Sequence, residues 1–152
     1  MWISTNRGNG FFKCTFLPDY FNHYLFQEHP IYSISNEIRS IYEDRDKRMW
    51  VATKDGVVHV FDANKREIGT LNSDGSIGTG RRMEVFVYNF FQDRNGVMWL
   101  ATKRQGLLRL IPSAKNRFKI ENYLHNNADP YSPAGNDFYS VTQDRQAYVG
   151  GY

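Results

Sequence analysis

The chain has 152 residues, long enough for one ordinary domain with its own core, and 16% of them are aromatic against 23% charged. Its net charge of +3 comes from short, scattered basic groups (Lys47-Arg48, Arg81-Arg82, Lys103-Arg104), not from the single basic face or helix that a nucleic-acid partner would require. One cysteine excludes an intrachain disulfide and a thiolate metal cluster, the four histidines have no metal-ligand spacing, and no apolar run nears the ~18 residues of a membrane span.

In chain order, the first strand-like run is "MWIST" (1–5), followed by "GFFKCTF" (10–16) and "FNHYLF" (21–26). The N-terminus lacks the basic-then-apolar layout of a signal peptide and opens at once on a strand. The sequence therefore reads as starting inside a structural unit of a longer protein. Next come "IRSIYED" (38–44), "MWVAT" (49–53), "GVVHVFD" (56–62) and "EIGTL" (67–71). The glycine-rich "NSDGSIGTGRR" (72–82) lacks the phosphate-cradling G-x-x-x-x-G-K-[ST] pattern and is expected to be a flexible loop between units. A third set follows: "VYNFFQD" (87–93), "MWLAT" (98–102), "GLLRLIP" (106–112) and "FKIENYL" (118–124). The chain closes on "FYSVTQD" (138–144) and "AYVGG" (147–151). These runs are short, rich in β-branched and aromatic residues and bounded by turn formers. No window sustains the 3.6-residue apolar period of a helix.

The runs repeat. Trp2, Trp50 and Trp99 stand 48 and 49 residues apart, and a further step of 49 reaches Tyr148. Four short strands per ~50 residues, repeated, are the signature of propeller blades. The expected fold is all-β, with four-stranded antiparallel blades recurring about every 49 residues in a partial propeller. The boundaries are a partial blade over 1–30, blades over 31–73 and 84–125, and a partial blade over 136–152. Propellers close with about four to eight blades. The segment therefore needs either the remaining blades or another copy of the chain as a partner.

Each repeated residue has a structural task. Asp44, Asp93 and Asp144 suit the first position of a type I turn, where a carboxylate accepts from the turn amides. Gly96 suits the position where positive φ is needed. Lys47 holds that place in the earlier copy, which implies strain or a different turn. Trp2, Trp50, Trp99 and finally Tyr148 are to fill gaps between blades. The small Ala and Thr that follow the tryptophans permit close sheet packing, and Gly56 and Gly106 open the third strand. The last copy has two fewer residues between its Asp and its aromatic, which predicts a tighter hairpin. A nucleophile or general acid would be unique to one unit, whereas this Asp recurs. No catalytic residue is assigned, and neither a cofactor nor a metal is expected.

The pattern D-x-x-G-x-x-W-h-G/A-T followed by a glycine and an apolar strand, as in "DRNGVMWLATKRQG" (93–106), resembles the two-component regulator propeller repeat. The links "YSISNEIRSIYED" (32–44) and "ENYLHNNADPYSPAGNDFYSVTQD" (121–144) are similar to that family's path from an outer strand to the next inner strand. Trp50 and Trp99 follow their Asp at six residues, unlike the five of sialidase Asp-boxes, and the Trp-Asp ending of WD repeats is absent. The resemblance implies the periplasmic sensor region of a hybrid two-component regulator of gut Bacteroidetes. In such proteins propellers precede an immunoglobulin-like domain, a membrane span, a histidine kinase and a response regulator, and they often sense oligosaccharides released from glycans. The chain itself has no kinase motif, so it is not expected to be an enzyme, and no contact of this segment with nucleic acid or membrane is expected.

Binding is expected where the loops leading into the inner strands and those joining second to third strands share one propeller face. The sequence places Asn6, Arg7, Asn36, Lys54, Asp55, Arg81, Arg82, Lys103, Arg104, Gln105 and Asn136 there. Their polar groups can hydrogen-bond sugar hydroxyls beside stacking tyrosines, and each would serve equally well as a solvated loop residue. Two functions follow: an oligosaccharide sensor, or a propeller scaffold for protein–protein interaction.

Overall fold

The computed structural model describes residues 2–4, 11–14, 21–24, 36–144 and 149–151. Strands β1 (Trp2–Ser4), β2 (Phe11–Cys14) and β3 (Phe21–Tyr24) form one sheet. The second sheet holds β4 (Ile38–Glu43), β5 (Met49–Thr53), β6 (Val58–Phe61), β7 (Glu67–Leu71) and β8 (Ile77–Gly78). The third comprises β9 (Val87–Gln92), β10 (Met98–Thr102), β11 (Leu107–Ala114) and β12 (Arg117–Tyr123), and β13 (Val141–Gln143) pairs with β14 (Val149–Gly151). Every sheet is an antiparallel meander of sequence neighbours, and the first strands β4, β9 and β13 lie side by side. This is an all-β stack of propeller blades, a partial propeller.

The hairpins form where the sequence supplies an Asx residue. The Asp93 Oδ1 accepts from the Asn95 and Val97 amides at 2.9 and 3.0 Å, and its carbonyl accepts from the Gly96 amide at 3.0 Å. Gly96 takes a φ of 82°, and in the earlier copy Lys47 takes the same turn at 62°. Lys47 thus carries the strain, about 1 kcal/mol, within an unchanged geometry. The motif recurs inside the second sheet, where the repeat did not signal it. The Asp62 Oδ1 accepts from the Asn64 and Arg66 amides at 2.8 and 2.9 Å, with Lys65 at a φ of 64°.

Two expectations are corrected. Residues 72–82 are not a loose connector: β8 adds a fifth strand, and the turn before it latches onto the next sheet. The Phe118 amide donates to the Gly75 carbonyl and the Ile77 amide to the Asn116 carbonyl, both at 2.8 Å. Gly75 has a φ of 78°, and a Cβ there would stand 1.9 Å from the Phe118 carbonyl oxygen, so only glycine fits this approach. The second correction concerns the final hairpin. Gln143 pairs with Val149 at the same six-residue step as Glu43 with Met49 and Gln92 with Met98, so the hairpin is not tighter. Pairing register is fixed by the turn, and it puts Gly150, not Tyr148, in the tryptophan slot. Tyr148 itself lies outside the described residues.

The core lies between the blades. Trp50 and Ala52 on β5, Val58 and Val60 on β6, and Leu71 on β7 join Phe90, Met98, Leu100, Leu108, Leu110 and Phe118 of the third sheet in one buried cluster. The opposite residues of β5, Met49 and Val51, join Phe61, Ile38 and Phe11 in a second cluster toward the first sheet. Strand β5 is therefore buried on both faces, as a strand inside a stack of sheets must be. Polar clamps follow the same seam. Gln92 accepts from the Arg45 amide at 2.9 Å, and the Arg45 guanidinium donates to the Arg94 carbonyl at 2.9 Å. One blade further, Gln143 accepts from the Arg94 amide at 3.0 Å, and the Arg94 guanidinium donates to the Asp144 carbonyl at 3.2 Å. The Glu43-Asp44-Arg45 and Gln92-Asp93-Arg94 phrases thus each supply a turn to their own blade and a staple to the next.

Candidate ligand-binding face

The segments leading into the inner strands are pinned to the loops after the second strands. Within one blade, the Lys54 amide donates to the Glu37 carbonyl at 2.8 Å and the Lys103 amide to the Phe86 carbonyl at 2.9 Å. Between blades, the Val85 amide donates to the Gly56 carbonyl at 2.8 Å and the Gly106 amide to the Asn136 carbonyl at 3.0 Å. Both classes of loop therefore meet on one face, as hydrogen bonding of the backbone requires.

A cavity of about 340 Å³ opens there, lined by Arg39, Lys54, Phe86, Lys103, Arg104 and Gln105. It brings together four of the sequence-named residues, Lys54, Lys103, Arg104 and Gln105. Their tasks differ. The Lys54 ammonium pairs with Glu37 at 3.1 Å. Gln105 is a positioning residue: its Oε1 accepts from the Phe86 amide at 2.9 Å and its Nε2 donates to the Glu84 carbonyl at 3.0 Å. Arg104 sits at a φ of 60°, and its amide donates to the Asp137 carboxylate at 3.0 Å. The other described ones stand apart from the cavity lining. The Thr53 hydroxyl donates to Asp55. The Asn136 Oδ1 accepts from the His125 amide at 2.7 Å. Arg81 and Arg82 flank the latch, their carbonyls accepting from the Ser73 amide and hydroxyl at 2.9 and 3.2 Å. Asn36 is half-buried ahead of β4. Asn6 and Arg7 lie outside the described residues.

Sequence reasoning missed Arg39 and Phe86. Phe86 packs its ring over Gly56, where an added Cβ would stand 3.1 Å from it. Arg39 holds its guanidinium 4.8 Å from the Tyr88 ring centroid, and Tyr88 lies 5.0 Å from Tyr139. These three occupy one repeat position, second in "IRSIYED", "VYNFFQD" and "FYSVTQD". That shared position was the available signal. Of the tryptophans expected to fill gaps between blades, Trp50 does so, whereas Trp99 is half-buried against its own sheet. The Trp50 Nε1 donates to the Asp44 carboxylate at 2.8 Å and the Trp99 Nε1 to Asp93 at 2.9 Å, so each Asp anchors both its turn and its tryptophan. Among the described residues, no group of three His, Cys, Asp or Glu side chains could hold a metal ion, and no helix is long and apolar enough to cross a membrane.

The model of the two component regulator propeller matches residues 32–55 and 83–104, the two stretches that contain the inner strand, the Asp turn and the tryptophan strand. Two solved extracellular domains of putative hybrid two component systems from B. thetaiotaomicron share the fold. One aligns over 99% of this chain at a TM-score of 0.64 and 20% identity, the other over 95% at 0.61 and 22%. The extracellular domain of a putative one component system from the same organism aligns over 99% at 0.57 and 13% identity. This chain spans only 17%, 20% and 24% of those three chains, respectively. No curated protein matches it in sequence. With the Asp turn, the anchored tryptophan and the blade-to-blade seam in place, residues 32–55 and 83–104 carry the two component regulator propeller repeat, and the sheets built on them are blades of that kind.

Proposed function

We propose that the chain is a propeller portion of the extracytoplasmic region of a hybrid two-component regulator, that it resides in the periplasm, that it performs no catalysis, and that its ligand is an oligosaccharide. The observation that carries this reading is the place where the repeat is broken. The two matched units agree through their hairpins and then differ in the next loop: Lys54-Asp55 in one, the longer Lys103-Arg104-Gln105 in the other. The cavity lies at that difference. Its volume of about 340 Å³ falls within the ~300–1,000 Å³ of ligand pockets, and an aromatic wall with a few convergent polar groups is their usual chemistry. Isothermal titration calorimetry of the 152-residue chain against a panel of neutral and acidic oligosaccharides tests it. Binding of one class tighter than ~1 mM supports sensing, and heat from none of them overturns it.

One observation favours a second reading, a scaffold for protein–protein interaction. Beside Trp99 on the third sheet, Tyr123 and Leu124 are 39% and 48% exposed, an apolar edge that another blade or a second copy of the chain would cover. Light scattering behind size exclusion distinguishes the two: a higher-order species that Leu124→Asp dissolves supports the scaffold, and a monomer in both cases rejects it.

A further inference from the structure

We infer that the cavity holds the anionic group of an acidic saccharide, a carboxylate or a sulfate ester. This rests on the sensing role proposed above and narrows it to one ligand class.

The argument is a balance of donors and acceptors. A neutral sugar presents hydroxyls that both donate and accept, so its site needs side chains of both kinds. Here the lining side chains available to a ligand only donate. Arginine and lysine have no acceptor, and both ends of the Gln105 amide are occupied by the backbone of Phe86 and Glu84. No carboxylate among the described residues lines the cavity. Among the described residues Lys54 is compensated by Glu37, while the side chains of Arg39, Lys103 and Arg104 make no ion pair. The Arg39 Nη1 is also buried without a hydrogen-bond partner, an uncompensated position that a nearby anion would relieve. A ligand that only accepts, with negative charge, completes this set.

A second observation concerns the backbone. Arg104 adopts a φ of 60°, a left-handed conformation that glycine or asparagine would take more readily. An arginine kept there against its own backbone preference is the kind of strain found at ligand clamps. A third separates a saccharide from a free inorganic anion. The Phe86 ring walls the cavity, and the Arg39–Tyr88–Tyr139 ladder continues from it to Tyr139, which is 64% exposed. Flat apolar faces beside the cations suit the C–H face of a sugar ring.

The experiment titrates the chain with a hexuronate oligosaccharide, a sulfated oligosaccharide, a neutral oligosaccharide of equal length and sodium sulfate alone. At least one acidic sugar is expected to bind about tenfold or more tighter than the neutral one. That preference should shrink severalfold between about 50 and about 500 mM salt. Arg104→Gly should weaken acidic binding about tenfold while raising the melting temperature, because glycine removes the positive-φ strain. Lys103→Ala should weaken binding without that rise. Equal affinity for neutral and acidic sugars, or unchanged binding by Arg104→Gly, overturns the inference and leaves sensing intact. Inorganic sulfate binding as tightly as a sulfated sugar overturns the saccharide assignment. Binding of no sugar removes the sensing role as well.

Discussion

The hairpins Asp44–Thr53 and Asp93–Thr102 carry nearly one sequence and fold into one turn, yet they end in different surroundings. Trp50 is fully buried, with Phe90 and Phe118 of the neighbouring sheet at 6.2 and 5.6 Å between ring centroids. Trp99 is half-buried and rests on its own sheet, stacked 6.0 Å from Tyr123 with the Arg109 guanidinium 5.4 Å from its ring. The indole–carboxylate bond is the same in both, 2.8 and 2.9 Å. The repeat therefore specifies the hairpin, and the next blade specifies what the hairpin is worth. A tryptophan held by its own turn becomes a core residue only when a second sheet closes over it.

The largest expected effect separates the two tryptophans. Trp50→Ala should cost about 3–5 kcal/mol in chemical denaturation, and Trp99→Ala about 1–2, because only the first opens a cavity in a closed interface. Equal losses would break the comparison. Next comes the latch that closes the interface over Trp50. Gly75→Ala should cost about 2–3 kcal/mol, since its Cβ would meet the Phe118 carbonyl at 1.9 Å in a positive-φ residue. Gly78→Ala, with nothing within 4 Å of its Cβ, should change stability by under about 0.5 kcal/mol and serves as the control on the same hairpin.

A smaller effect sharpens the likeness of the two turns. Lys47→Gly should stabilise by about 0.5–1 kcal/mol, and Gly96→Lys should destabilise by a similar amount, if both positions demand positive φ. A loss from Lys47→Gly would show that the lysine contributes more through Glu43, 3.1 Å away, than its backbone costs. The smallest effect is the pH dependence of the residue before each turn. Hydrogen bonds from Lys47 and Lys65 hold the Glu43 carboxyl below the usual glutamate range. A depressed folded-state pKa means that this stabilisation is present above the unfolded value, near 4.3, and is lost as pH falls through the folded value. Gln92 occupies the equivalent place and does not titrate. Glu43→Gln should therefore flatten the acid limb of stability by a few tenths of a kcal/mol, the scale of exposed ion pairs, as read from denaturation midpoints at stepped pH.

Much of this was legible in the chain. The β-branched and aromatic runs "MWVAT" and "VVHVF", the Asp-to-Trp spacing and the 49-residue step identify strands, turns and blades. The misses have a common cause. Strand β8 is two residues long, and its partners are β7 and the Asn116–Phe118 backbone of the next blade, so its own letters carry almost no strand signal. The Tyr148 assignment followed spacing, whereas pairing follows the turn, and Gly150 took the slot. Within the candidate cavity, Lys103 and Arg104 could be named from a loop. Arg39 and Phe86 read as ordinary positions in or beside a strand until two blades met. The loss of Gln105 as a ligand group was likewise invisible, since its amide is spent on a backbone 19 residues away.

By itself the sequence determined the unit: a hairpin whose Asp satisfies its turn amides and anchors an indole six residues on. Local hydrogen bonding and a β-branched, aromatic composition suffice for that. Only the tertiary structure decided which tryptophan is core, which glycine is a latch and which cations share a cavity. Those properties belong to surfaces that two blades make together, and a repeat describes one blade at a time.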